Sequence, residues 1–338
     1  MSESVPSFDR RTFLTAILNG AGIVALPGVV SCSVAEPGTP VPQTAETPDE
    51  STATSPDKAP APHQGEFAAE PAWRQHFAEM TDGPIDTSVW RFDDNPEVPG
   101  YNNEAQGYSS DPAHVRIENG SLVLQAKKQP YAYPGGPTYE YTSGRIDTLE
   151  SFSFTYGKIE ATMQMPEGAG AWPAFWLLSA NNPYTSAGQW ETTGFYAKDG
   201  EVDIVEWYGH TPDMIEGTVH TYQTAKDEDN DGERDADAAH VRNEQQVGVP
   251  DASSAFHTYG AEITPDRITW TVDGKPYHTF EKLSDNTDEW PFTAENQLYV
   301  ILNLAMGGSG GGPIDDSKAE AWKLLVKDVS YYPYLAAK

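Results

Sequence analysis

From about residue 67 onward, apolar and polar positions alternate with a period of two in a series of short runs. Such runs occupy residues 113–118, 121–127, 144–150, 157–165, 173–179, 201–208, 214–222, 257–264, 267–272, 297–304 and 322–332. Alternation of this kind puts one face of a strand in a core and the other against solvent or a neighbouring chain. Helical periodicity is scarce, and glycine, proline and Asn-Gly punctuate the gaps between runs. Many short strands joined by such turns predict an all-β sandwich. No internal repeat is evident. Two segments without alternation, 181–199 and 223–251, interrupt the pattern on either side of the run at 201–208, where they are placed to line or cover a cleft.

That run carries the chemistry. Gly200-Glu-Val-Asp-Ile-Val-Glu-Trp-Tyr208 sets three carboxylates, Glu201, Asp203 and Glu206, among Val202, Ile204 and Val205. Carboxylates in a half-buried strand resist desolvation and repel one another, so a fold keeps them only for a reason. In a regular strand Glu201 and Asp203 point to one face and Glu206 to the other. One extra residue, a β-bulge between Asp203 and Glu206, returns Glu206 to the first face. The two glutamate Cα atoms then lie roughly 13 Å apart. Long side chains leaning together close that gap to about 5 Å, the separation that retaining glycosidases use. Asp203, between them, is placed to hydrogen-bond one carboxyl. Upstream, Ala171-Trp-Pro-Ala-Phe-Trp-Leu-Leu178 puts Trp172 and Trp176 on one strand face and Phe175 on the other. Sugar rings present apolar C–H faces, which an indole pair beside carboxylates suits. Ordinary core packing is the alternative for either indole.

Charge narrows the partners. With 51 acidic against 21 basic residues the net charge is -30, and Coulomb repulsion argues against nucleic acid or an anionic membrane surface. A neutral or cationic polymer fits better than a sulfated one. No apolar stretch of 18 residues follows the N-terminal region, which excludes an integral helical membrane fold. Asp9-Arg-Arg-Thr-Phe-Leu14 and the apolar segment after it read as a twin-arginine export signal. It ends in Val29-Val-Ser-Cys32, where the lone cysteine closes a lipobox-like sequence; Cys32 is the expected lipidation site, and the alternative discards it with the signal. The expected product is a cell-surface lipoprotein or a secreted protein. A single cysteine cannot form an internal disulfide. Residues 33–66, rich in Pro, Thr, Ala and Glu, cannot bury a core and read as a tether. The organisation expected is thus a signal over 1–32, a tether over 33–66 and one β-sandwich over 67–338, with nothing requiring more than a monomer.

A set of ordered motifs between Phe77 and Tyr332 resembles glycoside hydrolase family 16, in particular its laminarinase-like, β-bulge branch. They include Asn102-Asn-Glu-Ala-Gln-Gly-Tyr108, Thr142-Ser-Gly-Arg-Ile146, the Trp172 run, the Glu201–Glu206 signature, Gly217-Thr-Val-His220, Val272-Asp-Gly274 and Leu302-Asn-Leu-Ala-Met-Gly-Gly308. The resemblance implies a curved jelly roll with a concave cleft. It implies that Glu201 is the nucleophile, Glu206 the acid/base and Asp203 their modulator, with no cofactor needed for catalysis. Asn102, Glu104, Arg145, Trp172, Trp176, Trp207 and His220 fall at positions expected to meet substrate; Asn303 and His257 read as structural. A surface salt bridge is the alternative for Arg145, and a core histidine for His220.

The resemblance also implies a structural Ca²⁺ remote from the cleft, held by the side chains of Glu79 and Asp328 and the carbonyl of Gly120. Separately, Asp227-Glu-Asp-Asn-Asp-Gly232 fits the first half of an EF-hand loop, but Ala238 stands at the twelfth position and a plain acidic loop is preferred. Where laminarinases commonly carry a tryptophan, this chain has Gly307-Gly-Ser-Gly-Gly-Gly312, which removes a stacking platform and leaves the exact glucan open. The function implied is a retaining endo-glycosidase acting on β-1,3- or mixed β-1,3/1,4-glucan. The alternatives are a depolymerase of bacterial exopolysaccharide or algal galactan, a transglycosylase sharing the first step, and a non-catalytic surface carbohydrate-binding protein on the same scaffold.

Overall fold

Two antiparallel sheets packed face to face account for nearly all regular structure in the computed structural model of the chain. The structure describes residues 65–93, 101–133, 136–181, 199–221, 223, 242–283, 285–287 and 289–336, all within the compact unit that runs from Ala61 to Lys338. Cys32, Asp227–Gly232, Ala238 and most of both interrupting segments lie outside the described residues.

One sheet has eight strands. Its path runs through Arg242–Gly248, Met214–His220, Glu201–Trp207, Ala171–Ser179, Leu298–Met306, Arg145–Asp147 and Arg91–Phe92. The nine-stranded sheet behind it centres on Gly157–Gln164, His257–Ile263, Arg267–Val272 and the long strand Lys323–Ala336. The core lies between them. Phe175, Val202, Ile204, Trp207 and Leu302 from the first sheet meet Ile159, Ala261, Trp270, Leu324 and Val329 from the second, all at most 1% exposed. A second, smaller apolar group, Ala174, Trp176, Leu178, Tyr299 and Ile301, lies on the other face of the eight-stranded sheet. Trp176 and Phe175 therefore point to opposite sides, as their alternation requires. The all-β sandwich expected from the pattern is the observed fold.

Several described strands fall outside the expected runs, Trp73–His76, Arg91–Phe92 and Gln106–Tyr108 among them. Gly65–Phe67, at the edge of the expected sandwich, pairs with Tyr334–Ala336. Arg242–Gly248, within the second interrupting segment, is a strand after all. It sits at the sheet edge with much of its surface in solvent, so it needs no alternating apolar residues and shows none. Lys275–Glu281 pairs at the edge of the other sheet for the same reason.

Candidate active site

The register of the Glu201–Trp207 strand slips once. Against Met214–His220, Glu201 faces His220, Asp203 faces Thr218 and Glu206 faces Glu216, so Ile204 and Val205 together stand opposite Gly217 alone. On the other side, Val205 faces Phe175 and Asp203 faces Trp176, again leaving Ile204 without a partner. This two-against-one count is the expected β-bulge. Ile204 and Val205 both turn into the core, fully buried, and Glu206 emerges on the face that holds Glu201 and Asp203. The second sheet grips the slip from behind: Trp270 donates its Nε1–H to the main-chain carbonyl of Asp203 at 2.9 Å. Gly217 makes room for it, since a Cβ there would lie 2.6 Å from the Trp270 ring.

The same slip overturns one expectation. Trp207 is not a substrate residue; it is fully buried, and its Nε1–H donates to the carbonyl of Pro212 at 3.0 Å. With Glu206 returned to the cleft face, the next residue must point to the core.

The remaining candidates converge on one open cleft of about 570 Å³. Trp172, half-buried, donates Nε1–H to Glu206 Oε1 at 2.8 Å. Its ring is covered on one side by the glycine run: a Cβ on Gly310 would meet the indole at 2.6 Å. Trp176 is only 9% exposed. Its Nε1–H donates to Asn303 Oδ1 at 2.8 Å, and the Arg145 guanidinium lies 4.9 Å above its ring. Arg145 is also paired with Asp93 at 2.8 Å, so both readings of it hold together: it is salt-bridged and it lines the cleft. Glu104 accepts from Gln106 Nε2 at 2.6 Å, and Asn102 stands beside it at φ 61°, a left-handed conformation that asparagine tolerates. His220 lines the cleft too, with Nε2 3.3 Å from Asp203 Oδ2. The atoms of Glu201, Asp203 and His220 that could hold a metal lie within 4.8 Å of one another, but this set is the acidic centre itself.

Burial dominates the electrostatics. It pushes the Glu201 carboxyl well above the usual carboxylate range, Asp203's charge adds to the effect, and Arg145 opposes it. Glu206 is pushed up to about 8 by burial and then by Asp203, with Glu216 adding to the rise and the Trp172 hydrogen bond and His220 opposing it. Stability follows from the sign. A carboxyl whose proton affinity is raised by folding stabilises the native state below its unfolded value and loses that contribution as pH climbs to its folded value. For Glu206 the window runs from 4.5 to about 8. Glu206→Gln should therefore be more stable than wild type at pH 8, by up to a few kcal/mol, and melt at a higher temperature, with the gain vanishing near pH 4.5. Calorimetry across that range checks it; a gain independent of pH would contradict the assignment.

The expected calcium ligands do not fit a divalent cation. Asp328 Oδ2 accepts from Arg74 Nε at 2.6 Å and meets His76 Nδ1 at 2.8 Å. The Gly120 carbonyl accepts from Lys327 Nζ at 3.1 Å, and Glu79 extends into solvent with its Oε1 3.6 Å from His76 Nε2. Basic side chains thus face the oxygens of Glu79, Gly120 and Asp328, the residues expected to hold Ca²⁺.

Several cleft residues were not anticipated. Asn303, read as structural, lines the cleft and donates Nδ2–H to Tyr108 Oη at 3.2 Å. Glu216, Arg242 and Gln246 line the end beyond Glu206. Glu216 was findable, since it is four residues before His220 on one strand and must share its face. Arg242 and Gln246 were not, because their strand carries no apolar signal. His257 sits apart from the cleft, 2.9 Å from Asp273, in the structural role expected of it.

Two glutamates and an aspartate on one face of a bulged strand, in a trough walled by indoles and hydrogen-bonding groups, define a glycoside hydrolase. The chain belongs to the glycosyl hydrolases of family 16, whose family model matches residues 102–320. It is 33% identical to a β-glucanase of Rhodothermus marinus over 78% of this chain and 87% of that one. To a glucan endo-1,3-β-glucosidase of Cryptopygus antarcticus it is 32% identical, over 77% and 91% of the two chains. Among solved structures it superposes with a TM-score of 0.67 on SCLam, a non-specific endo-β-1,3(4)-glucanase crystallised with 1,3-β-D-cellotriosyl-glucose. That match has 31% identity and covers 79% of this chain and 98% of the other. The fold is thus the family's jelly roll, and the non-catalytic binding reading gives way to the enzyme.

Proposed function

We propose that the protein is a retaining endo-β-glucanase, cleaving β-1,3- or mixed β-1,3/1,4-glucan by double displacement. One observation carries this reading: the bulge at Ile204–Val205 sets Glu201, Asp203 and Glu206 on the same face of a single open cleft. An open trough admits the middle of a polymer, which favours internal cleavage. In the first step a Glu201 oxygen attacks the anomeric carbon while Glu206 gives its proton to the departing glycosidic oxygen. Forming the ester removes the negative charge from Glu201, which lowers the proton affinity of Glu206. Glu206 then takes a proton from water, whose oxygen displaces Glu201 and restores the original anomeric configuration. Asp203 stands between the two glutamates with its Oδ2 3.3 Å from His220 Nε2. The printed activities of the relatives, β-glucanase and endo-1,3-β-glucosidase, support a glucan as substrate.

The test follows the reducing end released from laminarin by NMR. The first product should be the β-anomer; initial α-anomer would exclude the double displacement. Laminarin and lichenan should be shortened and agarose left intact, whereas cleavage of agarose alone would move the substrate to galactans. We place the enzyme outside the cytoplasm by the same reading, exported through its twin-arginine signal and lipidated at Cys32. Incorporation of labelled palmitate, lost in Cys32→Ala, checks that placement.

A further inference from the structure

Glu216 lines the cleft beside Glu206, and the double displacement does not use it. Its side chain is 5% exposed. It is the direct cross-strand partner of Glu206, so their Cβ atoms are about 5 Å apart. Like charges placed opposite one another destabilise a sheet, and three donors make the arrangement tolerable. Tyr208 Oη donates to Glu216 Oε1 at 3.1 Å, Arg242 Nη2 to the same oxygen at 3.1 Å, and Gln246 Nε2 to Oε2 at 2.8 Å. Gln246 is the cross-strand partner of Glu216 on its far side. Arg242 divides its charge between Glu216 and Glu244 and is 40% exposed. The carboxylate is thus fixed in place while its countercharge is shared and partly in water.

The groups that face Glu206 can be named element by element. Asp203 and Tyr208 come from its own stretch of chain, Trp172 from one neighbouring strand, Glu216 and His220 from the other, and Arg242 from the edge strand beyond. Arg145 acts on Glu201 from the opposite side. Of these, Glu216 and Arg242 touch neither the attacking carboxylate nor the proton donor, yet both sit at the end of the cleft next to the proton donor.

We propose that Glu216 is a positioning residue for the acid/base step: anchored by Tyr208, Arg242 and Gln246, it holds the proton on Glu206, and Arg242 trims its influence. The upward displacement of Glu206 titration, to which Glu216 contributes after burial and Asp203, agrees with this geometry. The proposal rests on Glu206 being the acid/base.

Glu216→Gln removes the charge and keeps the volume. Because the free enzyme needs Glu206 protonated, the alkaline limb of kcat/KM on laminarin should move to lower pH by about one unit. That corresponds to about a tenfold loss at pH values above the limb. Arg242→Gln leaves Glu216 uncompensated and should move the same limb to higher pH. Opposite displacements distinguish electrostatic control from loosened packing, which lowers activity in both variants alike. For a dinitrophenyl glycoside, whose leaving group needs no proton, kcat/KM reports the first step alone and should lose the alkaline limb in wild type and Glu216→Gln alike. Should Glu216→Gln fail to fold, the upward displacement in Arg242→Gln still decides the matter. Glu206→Ala is measured alongside. If it keeps the wild-type alkaline limb, the assignment of Glu206 fails. If it loses that limb while folded Glu216→Gln and Arg242→Gln leave it unmoved or move it the same way, only the role of Glu216 is overturned.

Discussion

Glu201→Ala should lose nearly all hydrolysis of laminarin, by about 10⁴-fold or more in kcat, the range seen when a covalent nucleophile is removed. The loss should fall on kcat rather than KM, because the indoles, Arg145 and Asn303 that line the cleft remain in place. Glu201 takes part only in the bond-making step, so it contributes little to ground-state binding. The shortened side chain also leaves a space beside Asp203 that azide can enter. With an activated aryl glycoside and azide, the variant should release the α-glycosyl azide, inverted because the anion attacks from the side Glu201 occupied. Substantial hydrolysis by Glu201→Ala without added azide would place the nucleophile elsewhere.

Deleting Ile204 should have the second large effect. Ile204 is the residue with no partner on either neighbouring strand. Without it Val205 alone faces the core between Asp203 and Glu206, so the strand alternates regularly and all three carboxylates stay on the cleft face. What is lost is the fully buried Ile204 side chain, at a cost of about 2–5 kcal/mol. The expected outcome is a protein that still hydrolyses laminarin but melts about 5–15 °C lower, a fall set by that cost in a domain of this size. Near-wild-type melting with abolished hydrolysis would show instead that the extra residue itself sets the reacting geometry.

These outcomes bear on how much of the site was legible beforehand. The bulge was readable because the run is chemically unbalanced: three carboxylates spaced two and then three apart cannot share a face on a regular strand. The misreading of Trp207 came from the same place, since a slip that rescues Glu206 must turn its neighbour inward. Period-two alternation found the strands buried on one face, such as Gly157–Gln164, and missed Arg242–Gly248, which lies at an edge. Glu216 was hidden by its company, as one acidic residue among 51; only its place on the His220 face distinguishes it. The expected calcium ligands also gave no sign of their partners, which the pairing of Trp73–His76 with the last strand brings to Asp328. Nothing in Glu79, Gly120 or Asp328 reveals that Arg74, His76 and Lys327 reach their oxygens first.

The bond from the Trp270 indole to the Asp203 carbonyl ties the reactive ribbon to the opposite layer through the dry interior. The acids are therefore aimed by the whole slab rather than by their own strand. Heat or denaturant that lets the two layers slip by a fraction of an ångström detunes the chemistry while both ladders are still zipped, so turnover is the most sensitive gauge of how tightly the slab is closed.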